Sequence, residues 1–249
     1  MQIVVDKLLT SYARLGSGKT VLILHGWADS AAGWKDFAAK LATKYDVVTV
    51  DLPGFGGTQV PADTWGLTEY ASFVAAFIAK LKLKPGAIIG HSNGGAIAIR
   101  GLASATLQAE KLVLLASAGI RNEQGGRKAT LKAVAKTGKL LSVPLPASTK
   151  RKLRQKLYAS AGSDLLVAEH LQETFKRVVG DDVRTEAAKI TVPTLLVYGE
   201  NDDATPVRFG ELFHEAINGS TLEILPAAGH FLHLEQADKV AGLIQDFLR

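Results

Sequence analysis

The chain contains no cysteine. That absence excludes disulfides, thiolate metal sites and a cysteine nucleophile. No apolar run is long enough to span a bilayer. The first residues, Met1-Gln2-Ile3-Val4-Val5-Asp6, lack the charged and apolar regions of a secretory signal. The cytoplasm is the expected compartment. There is no H-x-x-x-H pair for zinc. Gly16-Ser17-Gly18-Lys19-Thr20 ends like a phosphate-binding loop, but the earlier glycine of such a loop is absent and a strand pattern follows where a helix should. The glycines at 54–57 lack the following Lys-Ser/Thr. No metal or other cofactor is expected.

What is present fits a globular enzyme. The 249 residues are 47% hydrophobic and 21% charged, close to ordinary soluble proteins. That length accommodates one large α/β domain with an insertion. Short apolar runs at 21–24, 47–50, 87–90, 112–116, 194–198 and 222–225 do not alternate with polar residues. Such runs are strands buried on both faces, the signature of a parallel sheet covered by helices. Between them, 34–43, 68–81, 93–105, 206–216 and 235–248 carry apolar residues at helical spacing. Residues 3–5 and 8–13 predict an antiparallel hairpin at one edge. The expected fold is therefore α/β: a mostly parallel, roughly eight-stranded twisted sheet flanked by helices.

Residues 120–187 break the rhythm and hold no strand pattern. They carry fourteen of the 29 basic residues but only seven of the 24 acidic ones. From Gln124 to Ser163 there is no acid at all. The expectation is an inserted helical cap over 120–187, on a core formed by 1–119 and 188–249. Lys128, Lys132, Lys136 and Lys139 recur at helical spacing, which fits a solvated face. Attraction to an anionic membrane surface or to an acidic substrate is the sharper alternative. Nucleic acid is not an expected partner, because the stretch lacks interleaved aromatics for stacking. Nothing in the pattern speaks to oligomeric state.

The chemistry starts at Gly90-His91-Ser92-Asn93-Gly94. This G-x-S-x-G lies between an apolar strand and a small-residue helix, where a sharp turn exposes the serine hydroxyl above a sheet. The motif alone is also an ordinary strand-to-helix turn. A partner base and acid are sought in later loops. The strand at 194–198 runs into Gly199-Glu200-Asn201-Asp202-Asp203, and the last strand into Gly229-His230-Phe231. Ser92, then Asp202 or Asp203, then His230 is the required order. The carboxyl ends of parallel strands open on one edge, so these loops converge.

These stretches, with His25-Gly26-Trp27, Asp51-Leu52-Pro53-Gly54-Phe55-Gly56 and Pro193-Thr194-Leu195-Leu196-Val197-Tyr198, resemble the α/β-hydrolase fold superfamily. The resemblance is to its cap-bearing serine hydrolases, a branch that holds carboxylesterases, C–C bond hydrolases and cofactor-free haloperoxidases. It implies Ser92 as nucleophile, His230 as base and Asp202, three residues after Gly199, as acid. It also implies an oxyanion hole built from the backbone N–H groups of Trp27 and Asn93. Asp203 and Glu123 are the other acids weighed. His25, His91, His233 and Asp51 read as packing or loop-supporting residues, while His170 and His214 carry no motif. Relatives that open epoxides or remove halides place Asp where this chain has Ser92, which disfavours those activities. The implied function is hydrolysis of small to medium carboxylic esters through an acyl-enzyme. A C–C hydrolase or perhydrolase is the alternative, and a slow-turnover small-ligand binding protein the second.

Overall fold

The computed structural model describes residues 1–121 and 171–249. Eight strands form one sheet: β1 (Gln2–Val5), β2 (Leu8–Gly16), β3 (Thr20–Leu24), β4 (Asp46–Val50), β5 (Pro85–His91), β6 (Lys111–Leu115), β7 (Thr194–Gly199) and β8 (Thr221–Leu225). Their order is β1-β2-β4-β3-β5-β6-β7-β8. The expected hairpin is there: β1 and β2 pair antiparallel, and β2 continues antiparallel along β4. All pairs from β4 through β8 are parallel. The strand β2 runs three residues further than the apolar pattern suggests, because its second half pairs with β4 rather than β1.

The central strands are buried as their apolar runs require. Every residue of β4 is buried, as are all but the first of β3, β5 and β6. The edge strand β8 differs, with Leu225 alone fully buried. Helices cover both faces. On one side lie α1 (Lys35–Leu41) and α8 (Ala237–Leu248), packed through Phe37, Leu41, Val240 and Ile244. On the other lie α2 (Leu67–Leu81), α3 (Asn93–Ala103) and α6 (Val207–Ala216), with Phe73, Phe77, Ile97 and Phe213 in the second cluster. The expected helix over 235–248 is broken at Gln236 (φ −132°, ψ 46°), which separates a short α7 (Leu232–Glu235) from α8.

Most of the expected cap, 122–170, lies outside the described residues, and so do Glu123 and His170. Its C-terminal part forms α4 (Gln172–Gly180) and α5 (Arg184–Ala187). Val183 and Ala187 are buried in the same apolar cluster as α2 and α3. The two ends of the segment are clasped together. Val183 N donates to Gly119 O at 2.8 Å, and Arg121 N to Asp182 Oδ2 at 3.1 Å. Among the described residues no helix is long and apolar enough to cross a membrane.

Candidate active site

Ser92 stands between the end of β5 and the start of α3 with φ 50° and ψ −117°. A left-handed φ at a non-glycine residue costs about 1–3 kcal/mol and persists only where the surroundings impose it. Here the peptide is pinned on all sides. Ser92 N donates to Leu115 O at 3.1 Å, and Ser92 O accepts from Gly95 N, Ala96 N and Ala118 N at 3.0, 3.3 and 3.0 Å. The motif glycines are steric necessities. A Cβ at Gly90 would lie 2.5 Å from Gly95 Cα, and one at Gly94 would run into the Leu24 carbonyl. The loop after β3 touches the serine, since a Cβ on Gly26 would sit 3.3 Å from Ser92 Cβ.

The loop after β7 brings Asp202 to His230. Asp202 is buried and Asp203 is exposed. His230 Nδ1 lies 2.8 Å from Asp202 Oδ2. The two loops are stitched by Glu200 N to Leu225 O at 3.0 Å and Asn201 N to Ala228 O at 2.8 Å. Burial alone would raise the Asp202 carboxyl, but hydrogen bonds from His230 and Thr205 outweigh it and hold the group below its ordinary value. The carboxylate is thus the acceptor and Nδ1–H the donor. Among the described residues the hydrogen bonds of the His230 ring are at Nδ1. The Ser92 hydroxyl and His230 share no hydrogen bond among the described residues.

The other histidines stand behind this group. His91 Nε2 donates to His230 O at 2.9 Å. His233 stacks on Trp34 at 3.8 Å and 9°, and Trp34 Nε1 donates to Asp29 Oδ2 at 2.9 Å. Burial, reinforced by the neighbouring His230, pushes His91 well below its ordinary value and His233 down to about 3. His25 accepts from Leu52 N at Nε2 (2.9 Å) and donates from Nδ1 to Gly26 O (2.7 Å). Burial lowers it too, against the pull of Asp29 and Asp51. Asp51 accepts from Ala31 N at 2.6 Å and Gly57 N at 2.8 Å. It therefore ties the loop after β3 to the loop after β4, the loop-supporting part expected of it. His214 lies apart, bonded to Ser220 Oγ at 2.8 Å.

Trp27 packs edge-on against Phe55 (4.8 Å between centroids) and tilts against Phe175 (5.1 Å). Asn93 opens α3, so its N–H has no intrahelical acceptor. Two supporting residues escaped the sequence reading. Thr205 lies 2.7 Å from Asp202 Oδ2, 3.2 Å from His230 Nδ1 and 3.0 Å from Ala116 O. Glu235 accepts from Gly229 N (2.5 Å) and Phe231 N (3.0 Å), holding the peptides on both sides of His230. A threonine three residues after an aspartate, just before Pro206, is a local capping signal that points to the first. No local pattern in the sequence points to the second. Among the described residues no three His, Asp or Glu side chains group as metal ligands.

A strained serine elbow and a His–Asp pair at the carboxyl edge of a mostly parallel sheet define the class, and residues 21–243 match the Alpha/beta hydrolase family, to which the chain belongs. A pimeloyl-[acyl-carrier protein] methyl ester esterase of Neisseria meningitidis is 29% identical over 245 residues, which cover 92% of this chain and 93% of that protein. The crystal structure of a bacterial membrane phospholipase A superposes with a TM-score of 0.80 at 27% identity, over 100% of this chain and 84% of that one. An esterase from Exiguobacterium antarcticum shares the fold at a TM-score of 0.80 and 24% identity, over 100% of this chain and 98% of that one.

Proposed function

We propose that the protein is a carboxylic ester hydrolase working through Ser92, His230 and Asp202. The observation that carries this reading is the 2.8 Å contact between His230 Nδ1 and the buried Asp202 carboxylate. A serine hydroxyl is a weak nucleophile at neutral pH and needs a base during attack. His230 Nε2 takes the Ser92 proton as Oγ bonds to the ester carbonyl carbon. Asp202 fixes the ring orientation and stabilises the imidazolium. The negative charge moves to the carbonyl oxygen, where the N–H groups of Asn93 and Trp27 receive it. Loss of one such donor costs about 3 kcal/mol of transition-state stabilisation. Collapse of the tetrahedral species expels the alcohol, which takes the proton from His230. Water then repeats the sequence on the acyl-enzyme and releases the acid.

Similarity to a methyl ester esterase supports the ester as the scissile bond. The substrate is a small molecule with a small to medium acyl chain, and residues 120–187 act as the cap that selects it. Two measurements test the reading. A fluorophosphonate should label the protein at Ser92 and fail on Ser92→Ala. A panel of p-nitrophenyl esters from acetate to palmitate should show turnover concentrated in the short and medium chains. No labelling together with no ester turnover would overturn it. Turnover of a C–C diketone substrate in place of esters would move the protein to the alternative chemistry.

A further inference from the structure

The side chain of Asn93, the residue after Ser92, is a buried polar group that the mechanism above leaves unused, since only its backbone N–H takes part. It is 4% exposed, and among the described residues neither its Oδ1 nor its Nδ2 has a hydrogen-bond partner. A buried primary amide left this way carries its full desolvation penalty, because it has lost water and gained nothing. Buried polar groups without partners are rare, and a binding site is one place where they persist, the missing partner arriving with the ligand.

Helix geometry places this amide. A Cβ on Gly94 would meet the backbone of Leu24 and His25, and one on Gly95 would meet Ser117 and Gly90. Those two positions face the sheet. Ala96 packs toward the segment after β6, its Cβ 3.0 Å from a Cβ built on Gly119. Successive helical residues are about 100° apart, so Asn93 falls on the arc between Ala96 and Gly94, away from the strands. The Cα–Cβ bond of a helical residue tilts toward the helix N-terminus. For α3 that end is the carboxyl edge of the sheet, where Ser92 and His230 stand. Ideal helix geometry thus directs the carboxamide toward that edge, one residue from Ser92.

We infer that the Asn93 side chain is a specificity-determining group that reads a neutral hydrogen-bonding function, a hydroxyl or an amide, within a few atoms of the scissile carbonyl. The inference rests on the ester-hydrolase reading and narrows its substrate class: the preferred ester is functionalised near the reacting centre. Oδ1 accepts and Nδ2 donates, so a hydroxyl or a secondary amide can satisfy both. A charged group would meet no counter-charge in Asn93. A plain alkyl ester leaves both atoms unpaired, and sites built to bond a polar group reject analogues that lack it.

The test compares two matched pairs of p-nitrophenyl esters, butyrate with β-hydroxybutyrate and hexanoate with N-acetyl-β-alaninate, on the wild type and on Asn93→Leu. Leucine keeps the branched four-atom outline of the side chain, in a larger volume, and the backbone N–H. The wild type should favour the polar member of at least one pair by about tenfold in kcat/KM, and Asn93→Leu should erase or reverse that ratio. The melting temperature of Asn93→Leu should equal or exceed that of the wild type, since an unpartnered amide is removed from the interior. Equal losses on both members of each pair, or a fall in melting temperature with no change in either ratio, would assign the amide a structural role and overturn the inference. So would a wild type that labels with fluorophosphonate and hydrolyses plain esters yet shows no preference in either pair. A wild type that neither labels nor turns over any ester overturns the hydrolase reading itself, and this inference with it.

Discussion

His91 Nε2 donates to the backbone carbonyl of His230 across 139 positions of sequence, at 2.9 Å. The residue before the proposed nucleophile thereby holds the residue proposed as its base. The bond also fixes the His91 tautomer, with the proton on Nε2 and a bare, buried Nδ1 facing Gly26. His91→Leu keeps bulk and removes the bond. We expect kcat to fall about tenfold and stability to fall by about 1–2 kcal/mol, the cost of a half-buried carbonyl left unpaired. Ester kinetics and urea unfolding on the same preparation check both.

Thr205 has one hydroxyl proton and two acceptors, Asp202 Oδ2 at 2.7 Å and Ala116 O at 3.0 Å. Its oxygen also sits 3.2 Å from His230 Nδ1. Thr205→Val should lower kcat by about tenfold, equivalent to about 1.4 kcal/mol, with little change in KM. It should also shift the acid limb of the kcat–pH profile, because Asp202 loses a bond that keeps it ionised. Thr205→Ser should restore both. A merely structural threonine would move melting temperature and leave the pH limb in place.

Asp202→Asn should reduce ester turnover at least about a thousandfold, by favouring the wrong imidazole tautomer. Asp203→Asn, at an exposed neighbour, should leave kcat/KM within about twofold of wild type. Comparable losses in the two variants would remove the assignment of the acid to Asp202.

His233 is held down to about 3 by burial and by His230. Below the ordinary histidine value the unfolded chain binds a proton that the folded protein refuses. Stability is therefore present above about pH 6.5 and drains away as pH falls toward 3, by about 1.4 kcal/mol per pH unit for each such group. His91, also lowered, adds in the same direction. His233→Phe keeps a ring against Trp34 and removes two nitrogens that have no partners. It should be neutral or stabilising at pH 7.5 and should flatten the decline between pH 6.5 and 4. Denaturant unfolding at several pH values measures this; a decline unchanged in slope would refute it.

The sheet was readable because buried parallel strands need unbroken apolar runs, and β3 to β7 have them. The expected hairpin appears for the same reason, although the second half of β2 could be placed only by its pairing with β4. The elbow was readable because its glycines are demanded by contacts as close as Gly94 against the Leu24 carbonyl. Thr205 and Glu235 were not. Thr205 matters through Ala116, Asp202 and His230, and Glu235 through two amides of the His230 loop, relations that exist only after folding. The break at Gln236 was hidden for a similar reason, since the residues around it keep helical composition while the chain changes direction.

The clasp between 119–121 and 182–183 carries one further consequence. A chain excursion whose two ends are already joined by the core has met most of its closure entropy, and doubling its length then adds only about 0.6 kcal/mol. The clasp thus fixes the two points between which residues 122–170 run, and a change in the length of that segment need not disturb β5, α3 or the loops that carry Ser92, Asp202 and His230.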